Sequence, residues 1–278
     1  MHDIEHNRLV LVGAGSFIAR HVYAASLTKK IKAVGLPHDA DLARVLHAND
    51  TVINFGLTPE YKTSAYSEKY DFDLRIARIA NASGARVIML STRKVYPTAN
   101  KWGSKEAEAA EGDGCFYGCN KARSEALIHD LMGQSLTILR CSNVFGYEYV
   151  AGQLRRTFFG QMLAELREMG TITFDMSPNT RRDFLPVEQC AGAIIAVIMA
   201  GASGVYNVGC GFPIFCGDVA NWIMAGYGEG TLVISRDEIR DEFFLDMTKW
   251  QASNFPVLVT QDTLRSYCVD LGRRLRSA

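Results

Sequence analysis

A chain of 278 residues, 48% of them hydrophobic, carries enough apolar material for one large core or for a core with a smaller lobe beside it. Its 30 Lys plus Arg are matched by 30 Asp plus Glu, so no net field favours nucleic acid or an anionic membrane, and a small-molecule partner is expected. Seven cysteines (Cys115, Cys119, Cys141, Cys190, Cys210, Cys216, Cys268) form no C-x-x-C pair and six histidines form no paired ligand motif, which speaks against a disulfide framework, a zinc site or a catalytic metal. The apolar run at Leu9–Val12 has no basic stretch before it and meets glycine at once, unlike a signal peptide or membrane span, so a cytoplasmic location is expected.

In chain order, runs rich in Val, Ile and Leu fall at Arg8–Val12, Ile31–Leu36, Thr51–Phe55, Arg86–Leu90 and Ser135–Arg140. Between them, apolar residues recur at helical spacing over Ile18–Leu27, Leu42–His47, Phe72–Asn81 and Lys121–Leu131, some stretches ending near a glycine such as Gly84 or Gly133. This alternation predicts an α/β fold built on a doubly wound parallel sheet. After Gly146 come an amphipathic helix at Leu154–Met169, a short strand at Thr171–Phe174 and a polar loop at Ser177–Arg182. Val187–Ala200 reads as a long apolar helix, Val205–Val208 as a strand, Val219–Ala225 as a helix, Thr231–Ser235 as a strand and Gln261–Leu275 as a last helix. No internal repeat, low-complexity tract or Pro-rich linker interrupts the chain, so its parts are expected to pack together rather than hang on tethers.

Leu9–Val12 runs directly into Gly13-Ala14-Gly15-Ser16-Phe17-Ile18 and a helix. In that context small residues let the backbone approach a pyrophosphate, and the helix N-terminus favours its charge. Ser16 and Ala19 stand where further glycines are expected, so an ordinary strand-to-helix turn is the competing reading. The acidic ribose-binding residue expected about twenty positions on is missing from the second strand, whose end reads Leu36-Pro37-His38-Asp39. Asp39 equally fits a helix cap. Arg20 and His38 are available to a 2′-phosphate, which tips the expected cofactor to NADP(H) over NAD(H).

Phe116-Tyr117-Gly118-Cys119-Asn120-Lys121 places a tyrosine and a lysine one helical turn apart on one face. An ammonium beside a phenol stabilises phenolate, and such a phenol can trade a proton with a hydroxyl or carbonyl while nicotinamide exchanges hydride. Alone, the pair reads as readily as a solvated helix face. Upstream, the strand from Arg86 runs on to Ser91 and Thr92, and in open parallel sheets ligand chemistry gathers at the carboxyl ends of strands. Thr92 is therefore placed to meet Tyr117 and hydrogen-bond the reacting oxygen, with satisfaction of the strand end as its other use.

The order of these segments resembles the extended short-chain dehydrogenase/reductase family of nucleotide-sugar epimerases, dehydratases and reductases. The resemblance spans nearly the whole chain, through Gly13–Ala19, Thr51–Gly56, Ser91–Pro97, Tyr117–Lys121, Leu139–Gly146, Arg181–Glu188 and Gly204–Gly209. It implies a dinucleotide-binding Rossmann domain over 1–146 and about 183–209, with a smaller, discontinuous α/β substrate lobe over about 147–182 and 210–278. It also implies a homodimer formed through the helices near Phe72–Asn81 and Lys121–Leu131. Tyr117 becomes the acid or base, Lys121 its partner and a holder of the nicotinamide ribose, and Thr92 the residue that orients substrate. Cofactor contacts are expected from Gly13, Gly15, Ser16, Phe17, Ile18, Arg20, His38, Asn54 and Gly56, and substrate contacts from Thr92, Lys94, Asn143, Arg155, Arg156 and Arg182. Asn143 is also readable as a turn residue, Arg182 as an ion-pair partner of Asp183, and Arg155 and Arg156 as a solvated face.

Dehydratases of the family carry an Asp and a Glu after the catalytic threonine, where this chain has Arg93 and Lys94, so dehydration is not expected. The clipped second-strand region and Val95-Tyr96-Pro97 look more like the 4-keto-6-deoxysugar reductases. The resemblance therefore implies NAD(P)H-dependent reduction of a nucleotide-linked 4-keto-6-deoxysugar, with Tyr117 giving the proton. A nucleotide-sugar 4-epimerase with tightly bound NAD is the alternative, and a non-catalytic dinucleotide-binding redox sensor a further one.

Overall fold

A computed structural model describes residues 8–98, 101–108, 110–147, 149–150, 153–154 and 157–277. Six parallel strands form the main sheet, in the order Gly204–Val208, Leu136–Cys141, Arg86–Thr92, Thr51–Asn54, Leu9–Val12, Ala33–Leu36. The chain begins on Leu9–Val12, steps outward to Ala33–Leu36 and then crosses to Thr51–Asn54 on the other side. Where the winding reverses in this way, a crevice opens outside the carboxyl ends of the strands.

Successive residues of each strand feed opposite layers. Leu9, Leu11, Ile53, Ile88 and Leu139 share one core with Val22 of the helix Phe17–Thr28 and Ile194 of the helix Val187–Met199. Val10, Val12, Val52, Val87, Met89 and Ile138 share the other with Leu74, Ala77 and Ala80 of the helix Phe72–Ser83 and Ile128 and Met132 of the helix Phe116–Met132. Burial on both faces is why these strands read as near-continuous apolar runs. Gly84, with φ 74°, closes the Phe72–Ser83 helix in the left-handed conformation.

Three differences from the sequence reading have physical causes. The Tyr117 helix starts at Phe116, ahead of the apolar pattern, because the Cys115 thiol caps it by accepting from Gly118 N at 3.3 Å. The run Leu154–Met169 is divided: Gln153–Leu154 pairs antiparallel with Tyr149–Val150, and the helix begins at Phe158, capped by the Thr157 hydroxyl accepting from Gly160 N at 3.0 Å. The polar stretch Ser177–Arg182 ends in a two-residue strand, Arg181–Arg182, antiparallel to Ile214–Phe215; two residues carry no period to read. Thr171–Phe174 pairs parallel with Thr231–Ile234, and Asn143–Phe145 with Phe184–Pro186. Among the described residues no helix is long and apolar enough to cross a membrane, and no cluster of three His, Cys, Asp or Glu is arranged to hold a metal ion.

Just past the strand Arg86–Thr92, the buried Arg93 pairs with Asp241, which also accepts from Lys101 Nζ at 2.9 Å. The Arg93 guanidinium lies 3.9 Å over the Phe243 ring. Burial alone would raise the Asp241 carboxyl, but Arg93 and Lys101 hold it well below the usual carboxylate range. A depressed carboxylate contributes stability that is present above its unfolded pKa and is lost as pH falls toward the folded one. Asp241→Asn is expected to cost about 3 kcal/mol near neutral pH, since Arg93 is left buried without its counter-charge. The deficit should narrow below about pH 4, which urea unfolding of both proteins at neutral and acid pH will read out.

Candidate active site

The first strand delivers the chain to Gly13, whose N–H donates to Leu36 O at 2.8 Å and whose φ of 79° is left-handed. A side chain is excluded there twice over, because its Cβ would also fall on the imidazole of His38. At Gly15 nothing lies within 4 Å of a Cβ position, so the backbone is open to close approach. Ser16 Oγ caps the next helix by accepting from Ala19 N at 3.3 Å, and the helix's first N–H groups have no partner within it. This cradle fits a dinucleotide pyrophosphate.

From the cradle, a cavity of about 240 Å³ extends along the carboxyl ends of the strands, lined by Ser16, Phe17, Ile18, Asn54, Gly56, Leu90, Thr92, Tyr117, Lys121 and Val144, among others. Thr92 ends its strand, and Tyr117 and Lys121 occupy the first two turns of the helix Phe116–Met132. The Thr92 hydroxyl faces the same cavity as the Tyr117 phenol and accepts from Lys94 N at 3.3 Å. Lys121 Nζ donates to Asp73 Oδ2 at 2.6 Å and to Leu90 O at 2.8 Å.

The Lys121 and Asp73 side chains are only 4% and 5% exposed. Burial works against the ammonium, but the carboxylate of Asp73, foremost of the groups facing it, holds the Lys121 pKa above its ordinary value. Burial likewise raises the Tyr117 phenol, with Lys121 pulling it down and Asp73 pushing it back up.

Asp73 is the residue that sequence reasoning missed. Its signal was there: the helix Phe72–Ser83 buries Asp73, Leu74, Ile76, Ala77 and Ala80, so an acid falls on the core-facing stripe where only apolar residues are expected.

Asn54 uses its amide within the protein. Its Nδ2 donates to Gly56 O at 3.0 Å and to Asp73 Oδ1 at 2.8 Å, while its Oδ1 accepts from Gly56 N at 2.9 Å. It thereby braces the cavity wall and aims the carboxylate. The His38 ring fills the space beside both Gly13 and Gly56. Arg75, stacked 4.4 Å over the Phe72 ring, reaches His38 O at 3.5 Å. Arg20 is exposed, its charge is felt at His21, and no hydrogen bond or ion pair joins it to His38 among the described residues.

Lys94 is held by Asp113 at 3.0 Å and Cys115 Sγ at 3.7 Å, bracing the loop ahead of Tyr117. Asn143 sits between Ser142 and Val144, and it is these two that line the cavity. Arg182 donates through Nη2 to Arg240 O at 3.2 Å, and its Nε is buried without a partner. Asp183 is not its ion-pair partner: that carboxylate is fully buried and accepts from Cys210 N at 2.8 Å and from Gly211 N and Leu245 N at 3.2 Å each. Arg155 and Arg156 lie outside the described residues.

The chain has no match among curated proteins. Among solved structures it is similar to the UDP-N-acetylglucosamine 4-epimerase from Methanobrevibacter ruminantium M1, with TM-score 0.81 and 17% identity over 99% of each chain. The UDP-N-acetylglucosamine 4-epimerase from Bacillus cereus has TM-score 0.79 and 16% identity over 97% of this chain and 99% of that one. TunA, an NAD-dependent NDP-hexosamine 5,6-dehydratase of tunicamycin biosynthesis, has TM-score 0.77 and 15% identity over 98% of each. Residues 9–209 match the model of the NAD dependent epimerase/dehydratase family. With that match running from the glycine turn past the last strand of the main sheet, the chain belongs to the NAD dependent epimerase/dehydratase family.

Proposed function

We propose that this protein oxidises and re-reduces C4 of a nucleotide-linked sugar with NAD(P), working as a 4-epimerase. The observation that carries the reading is that Ser16, Phe17 and Ile18 at the helix end of the cradle line one cavity with Thr92, Tyr117 and Lys121. Ketone reduction is the first expectation from the sequence; the solved structures described above as 4-epimerases tip the balance to epimerisation. Arg93 and Lys94 occupy the places where elimination would need an acid and a base, and both are committed, to Asp241 and Asp113. That weighs against dehydration.

A bound dinucleotide supplies the hydride acceptor and donor. Tyr117 takes the C4 hydroxyl proton as that carbon is oxidised and returns it when the ketone is reduced. Thr92 holds the reacting oxygen, and Lys121 steadies the phenolate. Presenting the other face of the ketone before its reduction inverts C4. The unpaired Nε of Arg182 is assigned to the diphosphate, and the discontinuous lobe of about 147–182 and 210–278 to the sugar nucleotide. A cytoplasmic homodimer belongs to the same reading.

A second reading, ketone reduction with NADPH, is favoured by one corner of the site. At the end of the second strand, where a ribose-binding acid is missing, the exposed Arg75 donates to the His38 backbone carbonyl at 3.5 Å, which puts a guanidinium at that corner; such a group suits a 2′-phosphate.

Dinucleotide released from the purified, denatured protein should be NAD, and UDP-hexose epimers should interconvert with no net change in nicotinamide absorbance. Stoichiometric loss of NADPH with a nucleotide-linked 4-ketosugar, without hexose interconversion, would overturn the epimerase in favour of the reductase. Tyr117→Phe should lower kcat by about 10³-fold in a folded protein; an unchanged rate on every candidate substrate would remove the mechanism. Arg182→Ala should raise KM for the sugar nucleotide about tenfold with a smaller effect on kcat, checked by initial rates.

A further inference from the structure

The end of the second strand is tied to the glycine turn, because the Leu36 carbonyl accepts from Gly13 N at 2.8 Å and from Ala14 N at 3.2 Å. Two residues on, His38 lays its ring over that turn. The place of a Cβ on Gly13 and the place of a Cβ on Gly56 share one nearest atom, His38 Cε1, and both fall too close to it for a methyl group to fit. The floor beneath the ring is fixed: Gly13 is held by Leu36, and Gly56 by the Asn54 amide, which donates to its carbonyl at 3.0 Å and accepts from its N–H at 2.9 Å. The ring itself is held by little. His38 is exposed, its aromatic neighbour Phe72 lies at 6.3 Å, and among the described residues no hydrogen bond or ion pair reaches the imidazole. Arg75 meets only the backbone carbonyl.

A dinucleotide has two halves, one on each side of its pyrophosphate. With the pyrophosphate on the Gly13–Ile18 cradle and the nicotinamide half in the cavity beside Thr92, Tyr117 and Lys121, the adenosine half leaves toward the end of the second strand, where its ribose is ordinarily held. The cavity has no room for that half as well, since its volume of about 240 Å³ falls below the roughly 300–1,000 Å³ of small-molecule sites. Bare backbone at positions 13 and 56 permits the close approach that a ribose needs. The imidazole lies on that bare backbone.

We propose that His38 holds the place of the adenosine ribose: its imidazole covers the bare faces of Gly13 and Gly56, and the adenosine half of the cofactor binds by turning the ring out. The proposal rests on a dinucleotide being the cofactor, as in the reading above. Apparent affinity is then the intrinsic affinity reduced by the fraction of molecules whose ring is out. Every ligand carrying the adenosine ribose meets that reduction, NAD and NADP alike, and nicotinamide mononucleotide escapes it. His38 therefore opposes the cofactor rather than grasping it. Its removal tightens binding, where loss of a 2′-phosphate ligand would loosen NADP.

Calorimetric titration of the full chain with ADP-ribose, NADP and nicotinamide mononucleotide tests this. His38→Ala should bind ADP-ribose and NADP about tenfold more tightly than the wild type, with the mononucleotide unchanged. Equal or weaker binding of ADP-ribose by His38→Ala would overturn the proposal, and so would an equal gain for the mononucleotide. A second measurement uses the wild type alone. Proton cross-relaxation between His38 Hε1 and the Gly56 Hα protons should be present without ligand and vanish with saturating ADP-ribose. Its absence from the free protein, or its persistence in the complex, overturns the proposal even if His38→Ala does not fold. None of these readouts needs turnover. The binding pattern intact with no reaction on nucleotide sugars would remove the functional reading alone. NAD bound with no gain in His38→Ala would remove this proposal alone, and ADP-ribose bound by neither protein would remove both.

Discussion

Asp73 and Lys121 meet where four pieces of chain converge: the helices Phe72–Ser83 and Phe116–Met132, and the ends of the strands Thr51–Asn54 and Arg86–Thr92. Taking two such charges out of water costs several kcal/mol per ion, and their attraction repays it only when the geometry is good and the leftover hydrogen-bonding capacity is met. Asn54 and the Leu90 carbonyl meet it here. The pair acts less as a source of stability than as a joint: a slide of either helix would strand a charge in a dry interior. Tyr117 rides on one of those helices, one turn from Lys121, so its position over the strand ends is set by the same joint.

Much of this arrangement is legible in the sequence, for reasons tied to particular residues. Strands such as Leu9–Val12, buried on both faces, leave a continuous apolar run. The turn at Gly13 and the Tyr117–Lys121 spacing are local patterns that survive without knowledge of neighbours. Asp73 is local too, but its meaning is not. An acid in the first turn of a helix ordinarily serves the helix dipole, and only the partner 48 positions away gives it another role. Asn54 shows the same limit, since a polar residue at a strand end reads as a cofactor contact until its amide is found bound to Gly56 and Asp73. Strands of two residues, such as Arg181–Arg182 and Phe244–Leu245, exist through pairing with distant chain and leave no periodic mark.

Arg93 joins chemistry to architecture. It follows Thr92 directly, and its pairing with Asp241 fastens the end of the strand Arg86–Thr92 to the segment that continues into Phe244–Leu245. That segment is held in turn by Trp102–Ser104 along one edge and by Asp183 through Leu245 N. Arg93 thus anchors the threonine beside it, and a carboxylate at this position would be set against Asp241.

The seat of His38 carries an implication for how such a chain can drift. Its imidazole occupies the volume that a side chain would need at Gly13 and again at Gly56, so three positions far apart in the sequence share one parcel of space. A methyl group gained at 56 would evict the ring, and a smaller residue gained at 38 would leave a gap along the groove against both glycines. Positions 13, 38 and 56 are therefore expected to vary as a set among close relatives, and a swap of residue 38 alone, imported from a homologue with a different ring or none, would arrive without the backbone contour cut to receive it.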